Sequence, residues 1–315
     1  MDNSHIIIEP IFIVGVGRSG TTLLVNLMGA HPLLAPIYET PFIRKVIRHC
    51  EKASLRSTSP LYRISPTLFR RTFFKESQKL RNRLFNSVAH LPDPSTVKQE
   101  YESFPFGLAH CILYTPEEML READVWLDEL MSAQLSQERV YGSAREFIDR
   151  LFSIHCSRLN KPAWINKTPA LLQYLDHLSE LYPSARCIHI VRDGRDAAAS
   201  LLSLPWGSKT VGAAARHWKS HILDGRRRVR STKMRYTEIR YEDLIEAPTA
   251  TLQRLLTFLE LSADSTQLLE SIPVYNSRLG HWRKQFSADE CKIFVREAGD
   301  LLVDLGYETD DHWAC

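Results

Sequence analysis

Arg18, Ser19, Gly20, Thr21 and Thr22 stand between an apolar run, Ile11 to Val14, and a stretch in which Leu23, Leu24, Leu27 and Met28 recur at helical spacing. Gly15, Gly17 and Gly20 permit a tight turn and close backbone approach to a ligand. A buried strand, a glycine turn and a helix aim backbone N–H groups and a helix N-terminus at an anion. Gly15, Gly20 and Thr22 fit the P-loop template, but Thr21 stands where that template requires lysine. That lysine, with magnesium, neutralises the phosphates of a nucleoside triphosphate, so Arg18 is the positive group this loop can offer instead. A second set of polar groups lies far downstream. Arg192-Asp193-Gly194-Arg195-Asp196 follows an apolar run and is itself followed by Ser200. Glu39-Thr40, Asn166-Lys167 and Tyr241 complete the inventory. Standing alone, Glu39 reads as a solvated carboxylate ahead of a helix cap and Lys167 as a surface lysine.

The elements that must position these groups follow from periodicity and capping. Thr40-Pro41 reads as an N-cap with proline at the first helical position. From about Arg44 to Asn160 the pattern is mostly helical, with capping boxes at Thr115/Glu118 and Ser143/Glu146 and a linker-like HLPDPSTVKQ near Pro92. Strand signals resume at Trp164–Lys167, Cys187–Val191 and Arg235–Arg240. Helices are expected after Thr168-Pro169, near Asp196, over Thr210–Arg230 and Thr251–Leu261, and over Asp289–Leu305. Strands alternating with helices predict an α/β fold: a P-loop-like core with a mostly parallel sheet flanked by helices, plus a helical insertion. The expected organisation is one domain over residues 1–315, with a core of 1–43 and 161–315 and an insertion at about 44–160. The glycine loop, Lys167, Arg192 and Tyr241 all fall at carboxyl ends of strands, where such sheets bind ligands.

At these motifs the sequence resembles the sulfotransferases that use 3′-phosphoadenosine 5′-phosphosulfate (PAPS). The likeness is strongest to the tyrosylprotein sulfotransferases and their bacterial relatives. The Arg-Ser-Gly-Thr-Thr loop, Glu39-Thr40, Asn166-Lys167 and Arg192 with Ser200 carry it, over residues 10–41 and 163–200, with weaker likeness at 236–243 and 276–284. The resemblance implies that Arg18, Ser19, Gly20, Thr21 and Thr22 bind the 5′-phosphosulfate and that Arg192 and Ser200 hold the 3′-phosphate. It implies that Tyr241 lines the nucleotide site, that Lys167 stabilises charge on the leaving phosphate, and that Glu39 is the general base. A sulfuryl group carries less charge than a γ-phosphoryl group, which accounts for the absent lysine. The tail departs from the pattern. Gly280-His281-Trp282-Arg283 is recognisable but the preceding Arg-Lys-Gly triplet of cytosolic members is missing, leaving Ser277, Arg278 or Arg283 to replace it beside Gly280.

The expected activity is transfer of a sulfuryl group from PAPS to a hydroxyl of a small-molecule or peptide acceptor, releasing adenosine 3′,5′-bisphosphate, with no metal. A P-loop kinase is the rival enzyme reading, and a non-catalytic nucleotide-binding protein the third. A formal charge of +3 is too small to imply nucleic acid, and the Gly225–Arg230 run suits the C-terminal end of a helix. His217 and His221 have metal-ligand spacing without the accompanying glutamate of a zinc helix. Trp126, Leu127 and Leu130 read as core, and Tyr101, Phe104 and Phe106 as a weak aromatic candidate for the acceptor side. Six scattered cysteines, no membrane-length apolar run and the polar start MDNSH predict a cytoplasmic protein without a membrane partner. Acceptor identity and oligomeric state stay open at this level.

Overall fold

The computed structural model describes residues 8–57, 65–89, 114–132, 136–270, 279–310 and 313. In chain order these form β1 (Ile11–Gly15), α1 (Thr21–Gly29), β2 (Leu34–Tyr38), α2 (Phe42–Ser57) and α3 (Pro66–Val88). Then come α4 (Pro116–Ser132), α5 (Gln137–Arg158), β3 (Ala163–Lys167), a 3₁₀ segment (Pro169–Tyr174) and α6 (Leu175–Leu181). The remainder is β4 (Arg186–Val191), α7 (Gly194–Leu202), α8 (Val211–Arg230), β5 (Arg235–Arg240), α9 (Tyr241–Glu246), α10 (Pro248–Leu259), α11 (Ser265–Glu270) and α12 (Ala288–Asp304). The chain divides into two compact units: Met1–Pro10 with Pro32–Thr168 and Asp176–Ala185, and Ile11–His31 with Pro169–Leu175 and Arg186–Cys315.

In the first unit β2 pairs in parallel with β3, Tyr38 opposite Lys167. Aromatic side chains fill its core. Trp126 stacks on Phe147 at 5.0 Å, and Phe42 meets the edges of Phe147 and Phe152. Trp126, Leu127 and Leu130 are buried, as core residues should be. His155 on α5 is fully buried, and its Nε2–H donates to the Pro36 carbonyl at 3.0 Å, which ties the helix to β2.

The second unit is built on the parallel set β1–β4–β5. β1 is entirely apolar and buried, whereas β5 mixes charged, polar and apolar residues, is mostly only partly buried, and ends the sheet. Gly15 lies opposite Ile190, and an added Cβ there would stand 2.6 Å from the Ile190 carbonyl oxygen. Trp218, Ile222, Phe294 and Leu302 pack the flanking helices together. Thr210 and Ser287 cap α8 and α12 through their side chains.

The α/β class with parallel strands is therefore the observed one. Several local expectations need correction. The LAPIY segment forms β2, a strand not among those expected from the sequence. Thr40 does not cap α2 with its side chain; its Oγ1 accepts from Asn166 and pairs with Thr168 Oγ1. Ser143 lies inside α5 and bonds back to the Val140 carbonyl, while the cap is Ser136. The Thr115/Glu118 capping box is present, with both reciprocal bonds. The HLPDPSTVKQ stretch, Tyr101, Phe104, Phe106, Ser277 and Arg278 lie outside the described residues. Among the described residues no helix is long and apolar enough to cross a membrane.

Candidate functional site

In the second unit the glycine loop leaves β1 and closes on itself through the Ser19 N–H, which donates to the Val16 carbonyl at 3.2 Å. Arg18 adopts φ 72° and Gly20 φ 93°, so the chain doubles back before α1. No side chain caps the N-terminus of α1, which leaves its first N–H groups to an outside acceptor. Ser19 is buried and its Oγ has no hydrogen-bond partner among the described residues. A buried hydroxyl of that kind is a place for an anion's oxygen.

The loop is held by the motif that follows β4. The Arg18 Nε–H donates to Ser200 Oγ at 2.9 Å, and the Arg192 Nη1–H donates to the Arg18 carbonyl at 3.2 Å. Arg192 also lies over the Tyr241 ring, 4.6 Å from its centroid. That ring presses on Gly20, where a Cβ would stand 2.3 Å from Tyr241 Cδ2. Trp218 Nε1–H bonds the Arg192 carbonyl at 3.2 Å and anchors the strand end. Arg18, Arg192, Asp196, Ser200, Ser203, His281 and Gln285 line a cavity of about 400 Å³.

The two arginines of the Arg-Asp-Gly-Arg-Asp motif have different duties. Arg195 is buried between the rings of Trp282 and Trp313, at 4.3 and 4.4 Å, and is bonded by Asp193 and Glu308. Burial pulls its pKa down, but the Asp193 and Glu308 carboxylates outweigh that and raise it. Its charge is spent on packing, while Arg192 faces the cavity. Asp193 caps α7, and its own N–H donates to Glu242 Oε1 at 3.0 Å. Burial raises the Glu242 pKa against that bond and one from Tyr307.

Asp196 joins the tail to this cluster. Its carboxylate accepts from the Gly280 N–H at 2.9 Å and the Trp282 N–H at 3.0 Å, while Arg192 Nη2 stands 3.5 Å away. Gly280 has φ 65°, and the 3₁₀ turn His281–Lys284 follows. His281 and Gln285 thereby reach the cavity, whereas Arg283 lies on the Trp282 ring. Sequence reasoning missed His281, Gln285 and Ser203. The only available signal was Gly280-His281-Trp282, read there for its glycine.

Glu39 and Lys167 belong to the first unit, at the paired ends of β2 and β3. Glu39 has φ 43°, and its N–H donates to the Lys167 carbonyl at 2.8 Å. Lys167 Nζ donates to Glu39 Oε1 at 2.5 Å, with the lysine 2% and the glutamate 41% exposed by side chain. Below them the Thr40 N–H donates to Thr168 Oγ1 at 2.9 Å, and Asn166 Nδ2 to Thr40 Oγ1 at 2.9 Å. A buried ammonium and a half-exposed carboxylate, fixed by backbone and hydroxyl bonds, can between them hold and move a proton.

His217 and His221 sit on one face of α8 with ring centroids 3.9 Å apart, and His221 Nδ1–H bonds the His217 carbonyl. Among the described residues no cluster of three or more metal-ligating side chains occurs. Near the end of α8, Asp224 pairs with Arg227 and Arg228, and Arg226 pairs with Glu238.

Comparison with known proteins gives this geometry a setting. A family model described as the sulfotransferase family matches residues 10–265. An uncharacterized protein of Aquifex aeolicus is 23% identical over 261 residues, which is 80% of this chain and 26% of that protein. Nodulation protein NoeE of Sinorhizobium fredii is 28% identical over 207 residues, which is 52% of this chain and 49% of that protein. The chain thus spans between a quarter and a half of the length of these curated relatives. The sulfotransferase domain of the Synechococcus PCC 7002 olefin synthase superposes with a TM-score of 0.51 at 18% identity, over 92% of this chain and 95% of that one. That likeness bears on the fold alone.

Proposed function

This chain belongs to the sulfotransferase family, and from that premise we propose that it moves a sulfuryl group from PAPS to an acceptor hydroxyl. The single observation that carries the donor assignment is the Arg18–Ser200–Arg192 cluster around a cavity beside the glycine loop. Two guanidinium groups, a serine hydroxyl and open N–H groups suit a ligand with phosphates at two positions. The unpartnered Ser19 Oγ and the Gly20 turn fit the same group. In this reading Arg18, Ser19, Gly20, Thr21 and Thr22 hold the 5′ end, and Arg192 and Ser200 the 3′-phosphate. Tyr241 sets the wall, and Gly280 brings the tail turn to the cavity.

The reaction balances as an in-line displacement. The acceptor oxygen forms a bond to sulfur as the bond from sulfur to the bridging phosphate oxygen breaks. Glu39 takes the acceptor's proton, and Lys167 stabilises the negative charge that remains on the departing phosphate. Their contact holds both side chains in position before substrate arrives. The acceptor is a small molecule or a peptide carrying a hydroxyl group, and no metal enters the scheme. With Thr21 in the lysine position, a triphosphate would lack its usual counter-charge, which disfavours a kinase.

Calorimetric titration with adenosine 3′,5′-bisphosphate and, separately, with ATP tests the reading. The expected result is magnesium-independent binding of the bisphosphate, about tenfold or more weaker in Arg192→Ala. Absence of that binding, together with magnesium-dependent binding of ATP, would overturn it in favour of a nucleoside-triphosphate enzyme.

A further inference from the structure

Within the first unit a groove runs between α2 and α3, and none of its lining residues belongs to the glycine loop or the Arg192 motif. Lys45, Arg48 and Lys52 lie at three- and four-residue steps along one face of α2, and Lys79 and Arg83 lie four apart on α3. These five cations and one carboxylate, Glu76, line a cavity of about 480 Å³. Its floor is closed by Leu80 and by His49, which stacks on Phe73 at 5.0 Å and bonds Ser77 Oγ at 3.4 Å. The walls are therefore fixed by packing, and the ammonium groups project from a firm surface.

Cations in this groove outnumber carboxylates. Lys45, Lys52, Lys79 and Arg83 have no carboxylate partner among the described residues. Elsewhere on the helices of this unit the pattern is the opposite: Arg81 pairs with Asp124, Arg150 with Glu122 and Arg158 with Glu118. Lys45 donates to the Arg83 carbonyl at 3.1 Å, which brings two positive side chains to one end of the groove. Burial first, then Arg83 and Arg44, lower its pKa. A concave surface lined by one sign of charge concentrates ligands of the other sign, and the like charges gathered here repel until one arrives.

We infer that the groove between α2 and α3 is a binding site for a small molecule bearing two or more tetrahedral oxyanion groups, phosphate or sulfate. Lysine at three positions suits such groups as point charges, and Arg48 and Arg83 add forked donors at opposite helices. The site is distinct in sequence and lining from the cavity at Arg192 and stands whether or not the sulfuryl-transfer reading holds.

The test is calorimetric titration of the full chain, at low ionic strength, with myo-inositol hexakisphosphate and separately with sucrose octasulfate. The wild-type protein is expected to bind at least one, and the tighter of the two identifies phosphate or sulfate as the preferred group. Lys79→Glu combined with Arg83→Glu should weaken binding about tenfold or more, and Arg192→Ala should leave it unchanged. Should the charge-reversed chain fail to fold, Lys79→Gln with Arg83→Gln serves, with a loss of about threefold or more expected. No binding by the wild-type protein, equal affinity in the Lys79/Arg83 variants, or a loss confined to Arg192→Ala would overturn the assignment.

Discussion

Gly20 has no room for a methyl group. Its φ of 93° disfavours any L side chain, and the Tyr241 ring occupies the space a Cβ would take. Gly20→Ala should destabilise the second unit by about 1–3 kcal/mol and weaken adenosine 3′,5′-bisphosphate binding; thermal melts and calorimetry read both. A variant with wild-type stability and affinity would mean the loop is not held against Tyr241. At Glu39 the expected effect falls on rate. Glu39→Gln keeps a hydrogen-bond acceptor for Lys167 but removes the proton acceptor. Sulfuryl transfer should fall by about 10²- to 10⁴-fold, while bisphosphate affinity stays within about twofold. An unchanged transfer rate would reduce Glu39 to a partner of a buried lysine. These residues were legible in the sequence because each sits in a short motif at a strand end. His281 and Gln285 were not, because they reach the cavity through main-chain bonds to Asp196, and a main-chain bond leaves no trace in residue types.

The tail turn depends on one carboxylate from another element. Asp196 in the first turn of α7 is 3% exposed and takes two N–H groups from residues 280 and 282. Bonds to a buried carboxylate contribute about 1.5–3 kcal/mol each, enough to hold a turn that has one 3₁₀ winding of its own. Asp196→Ala should therefore speed amide exchange at Gly280 and Trp282 by about tenfold or more. It should also weaken bisphosphate binding, since His281 and Gln285 would leave the cavity. Unaltered exchange at those two amides would show that the turn is held by Trp282 packing alone. Helix existence could be read from sequence, and so could the Thr115/Glu118 cap of α4, because a clear apolar period follows it. The S-x-x-E pattern at Ser143 misled because the same spacing also occurs inside a helix, where Ser136 had already capped the start. β2 was missed for the opposite reason. Pro36 argues against a strand, yet an end strand tolerates it, and here its carbonyl takes the His155 proton instead.

At the scale of the molecule, the α/β class was readable from alternation, but the partition of the chain was not. The first unit collects Pro32–Thr168 with Asp176–Ala185, and the second takes β1 with everything after Arg186. Such a division depends on which distant segments pack, and periodicity within a segment carries no information about that. Two elements, α5 and β5, should answer acid differently. His155, in the first, is buried and neutral; burial pulls its pKa down from 6.5 to about 4, with the Pro36 bond opposing. Between those values the unfolded chain takes up a proton that the folded chain refuses, so stability falls as pH falls from about 6.5 to about 4. The loss approaches about 3 kcal/mol, from roughly 2.5 decades of proton affinity at about 1.4 kcal/mol each. Glu238, in the second unit, is held at about 2; burial opposes this, but His189 and Arg226 outweigh it. Its contribution is present above the unfolded value of about 4.5 and is lost only as pH falls toward about 2. Acid should thus loosen α5 before β5. Amide exchange at α5 should rise between pH 6.5 and 4 while that at β5 holds. His155→Gln, which can still donate to Pro36, should flatten the dependence in α5 alone. Parallel loss of protection at α5 and β5 across that range, or an undiminished slope in His155→Gln, would place the acid sensitivity in other groups.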